Sequence, residues 1–506
     1  MDGFLYIDKS DEMLVEACLN AVKGLSETEQ QANTPTKVKF VEELFQTLVF
    51  ENDILTLIVL CLIRGCDVVF CENGIQQLLS HSKLNKNSTF NDDEPSLEAL
   101  KILTNCIYLD QDLKYYIVDN GSVKFIIQAL EKTQNLLSQY LLIRALFLLT
   151  IQNNDLCELV LKEFALDKIL LKIFENFVNS PNLGKVETET LILNDLLKTF
   201  YNFTHKMSSY GFDGDSTSDA VKNEEQRTAD MDRYKEWIPL ITKVLTNHPQ
   251  KPNQILPTPH SFAINALMNF PLINKEWKRK YWFPNDNFEF IEVLLKIFET
   301  TILKSFPTYE DIEEVSYVSP GISVDDAITP LMILLCNICK WDSRAKKIVK
   351  AKIMPPNIDR SKPLDKQNTL PSRLIAFMTS SSQANLKTTG SELMFICCDE
   401  NTQNLISYTG YGHAAGFLFE RGFNPNQPAQ PEVQTGGGPE IEEIPEELEN
   451  SVNINPITGV FEKMEVKDDK LEEMTEEEKE VEAEKLMVLL DRLNKNGIIK
   501  TVMKNE

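Results

Sequence analysis

Apolar residues recur at i, i+3, i+4 and i+7 over much of the chain between residues 39 and 398. That spacing gathers side chains on one face of an α-helix. The segments 39–50, 54–66, 95–109, 122–132, 138–151, 155–178, 188–204, 234–246, 260–273, 287–304, 327–340, 343–351 and 384–398 carry it. No period-2 run competes with them, so an all-α fold is predicted. Gly is sparse at 19, and the 23 Pro fall mostly between the periodic segments, where they end helices. Three stretches break the pattern. Residues 206–232 are polar and rich in Gly, Ser and Asp, and residues 305–325 mix Pro, Ser and acids. Both read as long loops. Residues 424–470, with Gly436, Gly437, Gly438 and a Glu run, read as a linker.

The helices repeat weakly. ALKILTN ends at Asn105, LLKTFYN at Asn202, AINALMN at Asn269 and PLMILLCN at Asn337, with degenerate copies ending at Thr150 and Cys398. Allowing for the loops, the spacing fits a period of about 40–47 residues, that of armadillo and HEAT arrays. One such repeat cannot bury its own apolar face, so stacking must supply the core and leave a concave surface of parallel helices. A single Asn at such a place reads as a helix cap. The row of four also reads as a ladder of amides, each able to donate to and accept from the backbone of a bound peptide or helix.

Past the linker, Thr475-Glu476-Glu477-Glu478 forms a capping box. Leu486, Leu489, Leu490 and Leu493 then make an apolar stripe, and Gly497 follows as a helix stop. The predicted organisation is a repeat domain over 1–423, an acidic linker over 424–470, and an amphipathic helix and tail over 471–506. The stripe must pack on the array or on a partner.

Charge sharpens this division. The chain has 506 residues and a net charge of −25. Residues 431–506 hold 21 Asp and Glu against 9 Lys and Arg, a net −12. An acidic chain repels phosphate backbones, which argues against nucleic acid as partner. No apolar run reaches the ~18 residues of a membrane span. The acidic MDGFLYIDKSDEML start lacks a basic signal region. The ten Cys lie on apolar helix-like stretches, as buried thiols do in the cytosol. With 5 His, no zinc spacing stands out and no metal or cofactor is expected. Against the acidic background, residues 340–350 form a basic island of Lys340, Arg344, Lys346, Lys347 and Lys350. A solvated helix face is one reading of it; a site for an acidic partner or a C-terminal carboxylate is the other.

The stretch Gly410-Tyr411-Gly412-His413-Ala414-Ala415-Gly416 has glycines spaced like a dinucleotide fingerprint. It lacks the preceding strand, so a turn opening a short small-residue helix is expected instead. No phosphate-binding P-loop, nucleophile elbow or HExxH is present, and no carboxylate pair is singled out by spacing.

Tyr408 to Gly416 closely resembles the YTGYGNAAG motif of the synembryn family, the "resistance to inhibitors of cholinesterase" proteins. Asn455-Pro456-Ile457-Thr458-Gly459 resembles its NPVTG, and Met474 to Glu480 its MTEEQKE. Ile353-Met354-Pro355-Pro356 resembles VLPP, and Leu142 to Thr150 resembles LRLLFLLT. The resemblance implies an armadillo/HEAT-like superhelix with a C-terminal helical extension. It implies an exchange factor and folding chaperone for heterotrimeric G-protein α subunits, in which the concave face takes the α subunit's C-terminal helix. GDP leaves, and the empty state is held until GTP binds. No bond is made or broken by such a factor, so no catalytic residue is expected. Family contact positions fall on Arg64, Asn105, Lys346 and Lys350, and a second family Arg falls on Leu60 here. A cytoplasmic monomer recruited to the cell cortex follows as an expectation. An armadillo adaptor without exchange activity is the alternative.

Overall fold

The computed structural model describes residues 72–86, 88–109, 111–208, 232–249, 255–270, 278–319, 322–423 and 454–461. The segments predicted at 39–50 and 54–66, most of the 206–232 loop and the 471–506 helix lie outside the described residues. The chain divides into two units: Met1–Pro439 with Pro456–Val460, and Glu440–Asn455 with Phe461–Glu506. In the second, Ile454 pairs antiparallel with Phe461.

The first unit is an armadillo/HEAT-like helical array. Among the described residues its helices are α1 (Glu72–His81), α2 (Glu94–Leu109), α3 (Gln111–Asp119), α4 (Val123–Lys132), α5 (Leu136–Thr150), α6 (Asn154–Glu163) and α7 (Leu166–Val178). There follow α8 (Glu187–Ser208), α9 (Trp237–Asn247), α10 (His260–Met268), α11 (Glu289–Ser305), α12 (Asp311–Glu314) and α13 (Val324–Trp341). The last are α14 (Ser343–Ile353), α15 (Leu370–Phe377), α16 (Ala384–Cys397), α17 (Thr402–Thr409) and α18 (Tyr411–Glu420). Helices α2, α5, α8, α10, α13 and α16 pack one on the next as a row. A second row, α7, α9, α11 and α14, packs behind it.

Sequence explains the layering. Helix α5, LLSQYLLIRALFLLT, is apolar almost all round because α2 and α8 cover it on two sides and α4 behind. Asn135 caps it, its side chain accepting from the N–H groups of Leu137 and Ser138. The rows are joined by stacked rings. Trp237 of α9 lies 5.2 Å from Phe174 of α7 and 4.7 Å from Phe200 of α8.

Two predicted elements differ. The helix expected over 155–178 breaks at Ala165, whose φ of 48° is left-handed, and this separates α6 from α7. The loop expected over 305–325 instead holds α12 and a short hairpin, β1 (Tyr317–Ser319) with β2 (Ile322–Ser323). Its anchor is Glu313. Burial pushes this carboxyl up, but hydrogen bonds from Ser380, Ser381 and Ser382 outweigh that and hold it down at about 2. A polar loop read from composition is thus pinned by serines nearly seventy residues away.

Arg373 on α15 is 1% exposed. It donates to the carbonyls of Phe306, Gln367 and Pro307 at 2.6–2.8 Å and to Asn368 Oδ1. Arg373→Ala leaves these acceptors unpaired, so urea denaturation is expected to show a loss of about 3 kcal/mol or more. A change under ~1 kcal/mol would mean water replaces the guanidinium.

His260 and His248 are buried against each other, with ring centroids 5.6 Å apart. Burial, then the neighbouring His248, lowers the His260 pKa to about 4. The unfolded chain therefore binds more protons between about 6.5 and 4. Stability conferred by neutral His260 is present above about pH 6.5 and is lost as the pH falls through that window. Denaturation at pH 7 and pH 5 is expected to show a smaller difference for His260→Leu than for the native chain. Equal pH dependence would contradict the assignment.

Candidate partner-binding surface

The predicted amide ladder divides. Asn202 of α8 donates through Nδ2 to the Phe147 carbonyl at 3.2 Å and to Thr150 Oγ1 at 2.9 Å, both near the end of α5. Asn337 of α13 donates to the Met268 carbonyl at 3.2 Å, at the end of α10. Each amide thus satisfies a carbonyl orphaned at the C-terminus of the helix before it in the row. These two are staples between repeats, with donors spent inside the array. Asn269 is the C-terminal cap of α10 and is 4% exposed. Asn105 is half-buried on α2.

The basic island is also largely engaged. Asp342 caps α14, accepting from the N–H groups of Arg344 and Ala345. Lys340 pairs with Glu392 at 2.8 Å, Arg344 with Asp286 at 2.8 Å, and Lys346 with Asp399. The Arg344 guanidinium also lies 4.9 Å from the Phe288 ring centre. Three cations of the predicted basic island are thus engaged within the array. Acids distant in sequence neutralise its flanks. Lys347 and Lys350 remain exposed, and form no ion pair among the described residues.

Three resemblance-bearing motifs meet at the end of the array. The Tyr408 hydroxyl donates to the Pro355 carbonyl at 3.2 Å. The N–H groups of Tyr411 and Gly412, which open α18, donate to the Pro456 and Ile457 carbonyls at 2.8 Å. Arg360 spans the joint, donating to the carbonyls of Gly459, Ser407 and Tyr408. Gly410 has φ +80°, and a Cβ there would lie 2.6 Å from Gly459 N and Thr458 C. The glycines thus let two backbones touch, which only a missing side chain permits. The helix N-terminus that a pyrophosphate would need is filled by carbonyls, so GYGHAAG is the expected turn and short helix rather than a nucleotide site. The segment expected as linker, 424–470, contains this docked turn.

Sequence reasoning missed two features. Cys336 and Cys339 have CxxC spacing on α13 and lie near Cys397 of α16, all three buried free thiols; the buried Cys398 just past α16 contacts Met354 instead. Burial pushes the Cys398 thiol up to about 12, which leaves it protonated and inert. Asp195, 1% exposed on α8, holds both Arg144 and Lys198; its apolar flanks hid it. Among the described residues no His, Cys, Asp and Glu group is arranged to hold a metal, and no helix is long and apolar enough to cross a membrane. Arg64 and the Leu486, Leu489, Leu490 and Leu493 stripe lie outside the described residues.

Gly410→Val is expected to expel the Pro456–Val460 turn. Amide exchange at Tyr411 and Gly412 should then accelerate at least tenfold while Trp237 stays buried. Unchanged protection at both amides would show that the turn tolerates the side chain.

The chain matches the family described as guanine nucleotide exchange factor synembryn over residues 63–505. It is 27% identical to the chaperone Ric-8A of Xenopus tropicalis over 446 residues, which covers 83% of this chain and 76% of that protein. Against the chaperone Ric-8A of Xenopus laevis it is 27% identical over 433 residues, or 81% and 73% of the two chains. A designed armadillo repeat protein is similar at 11% identity and a TM-score of 0.36, covering 64% of this chain and 99% of that one. With the match running through both the repeat array and the motifs at its end, the chain belongs to the guanine nucleotide exchange factor synembryn family.

Proposed function

We propose that the protein accelerates nucleotide exchange on a heterotrimeric G-protein α subunit and chaperones its folding. The observation that carries this reading is the family match over residues 63–505. The exposed edge of the α2–α5–α8–α10–α13–α16 row receives the C-terminal helix of the GDP-bound α subunit. Arg64 and Asn105 contact it at one end, and Lys347 and Lys350 at the other. Asn202 and Asn337 contribute by fixing the spacing of the row. Arg344 and Lys346 set the orientation of α14 through Asp286 and Asp399, and Lys340 ties α13 to Glu392 of α16. The leucine stripe at Leu486, Leu489, Leu490 and Leu493 adds a second apolar contact.

The chemistry is a shift of populations. A partner that binds the empty α subunit better than the GDP-loaded one lowers the cost of losing GDP by the difference in affinity. Holding the same empty state protects it from aggregation, which is the chaperone activity.

GDP release from purified α subunits is expected to accelerate with the native protein. Lys347→Glu with Lys350→Glu is expected to weaken α-subunit binding roughly tenfold, because exposed lysines meet a partner's acidic end. The melting temperature should hardly move, since neither lysine forms an ion pair among the described residues. Unaltered binding would remove the two lysines from the surface. A stable complex without faster GDP release would leave an adaptor.

A further inference from the structure

A cluster in the middle of the row has more cation than its own carboxylate requires. The Asp195 carboxyl, 1% exposed, accepts from Arg144 Nη1 at 3.3 Å and from Lys198 Nζ at 3.0 Å. Arg144 comes from the neighbouring helix α5, so its pair with Asp195 already ties the two helices. Lys198 stands one turn from Asp195 on α8 itself, and its ion pair ties nothing further.

Aromatic walls surround these cations. Lys198 Nζ lies 5.2 Å from the Phe147 ring centre of α5 and 4.5 Å from that of Phe262 of α10. Arg144 Nη1 also donates to the Tyr140 hydroxyl at 3.1 Å, and its guanidinium lies 5.7 Å from that ring. Ring faces attract a cation and exclude water, but they do not neutralise it. An ammonium has three N–H donors, and among the described residues Asp195 is the hydrogen-bond acceptor of Lys198. The Lys198 side chain is 25% exposed, against 1% for Asp195. Asn202, one turn further along α8, is bonded to the Phe147 carbonyl and holds that wall in place.

We infer that Lys198 is a specificity-determining contact of this protein, taking one acidic side chain from the helix of the bound partner. Asp195 and Arg144 are its positioning residues. The inference rests on the exchange-factor reading above. A carboxylate fits better than a phosphate: a single partly exposed ammonium, with Asp195 its acceptor among the described residues, suits a monoanion. Between the two rings such a charge-assisted hydrogen bond is shorter and stronger than a neutral one.

The test is a double-mutant cycle. Lys198→Gln in the full chain is combined with neutralisation, one at a time, of each acidic residue in the α subunit's C-terminal helix. Dissociation constants are measured by calorimetry. Lys198→Gln is expected to weaken the complex about tenfold. At one acidic position, neutralisation should then cost less than twofold further, while the other positions remain additive. Lys198→Met keeps the stem between the two rings and should show the same loss, with Lys198→Arg recovering most of it. Strict additivity at every position would overturn the proposal, as would an unchanged constant for both Gln and Met variants. If the native chain does not bind the α subunit at all, the exchange-factor reading itself fails and this inference falls with it. That outcome is told apart by the native control alone.

Discussion

Side-by-side burial of one helix against the next is the interaction on which everything else here depends. Helix α5 has no polar face to give to water along most of its length. Leu142, Ile143, Ala145, Leu146 and Leu149 are fully buried because α2 and α8 flank it. Each such large side chain contributes on the order of 1.5–3 kcal/mol when buried, and none of that is available to an isolated repeat. The same packing sets the helices of the row in register. Asn202 and Asn337 then bond backward onto the helix before them, converting loose stacking into a fixed spacing.

Much of the array was legible in the sequence because helical periodicity is a local signal. Helices such as α2, α4, α8 and α14 lie within a few residues of their predicted segments. Short helices were less legible. In α15, the charge of Arg373 interrupts the apolar pattern, yet its side chain is buried among carbonyls. The site was harder to read, since its chemistry depends on residues far apart. The basic island looks bare in sequence only because Asp286, Glu392 and Asp399 lie on other elements. The row of Asn was visible, but whether an amide faces a ligand or the preceding helix is decided by packing.

The motifs near residues 408 and 456 show the opposite case. Their resemblance to a family was plain in sequence, while the physical reason for their residues was not. Gly410 and Gly459 both have positive φ and meet backbone to backbone, and Arg360 seals the joint. This contact fixes a turn of the acidic C-terminal region onto the last repeats. It also explains how a glycine-rich stretch can imitate a nucleotide fingerprint while serving as a clasp.

On the proposed reading the protein acts by preferring one state of its partner over another, and a row of helices with a few oriented cations serves that role without bond chemistry. The claim is tested most directly by comparing affinities for one α subunit in its GDP-bound and nucleotide-free forms, measured under the same conditions. The account predicts binding at least ~100-fold tighter to the empty form, a difference of roughly 2.7 kcal/mol. Equal affinity for the two forms would contradict it, however tight the binding.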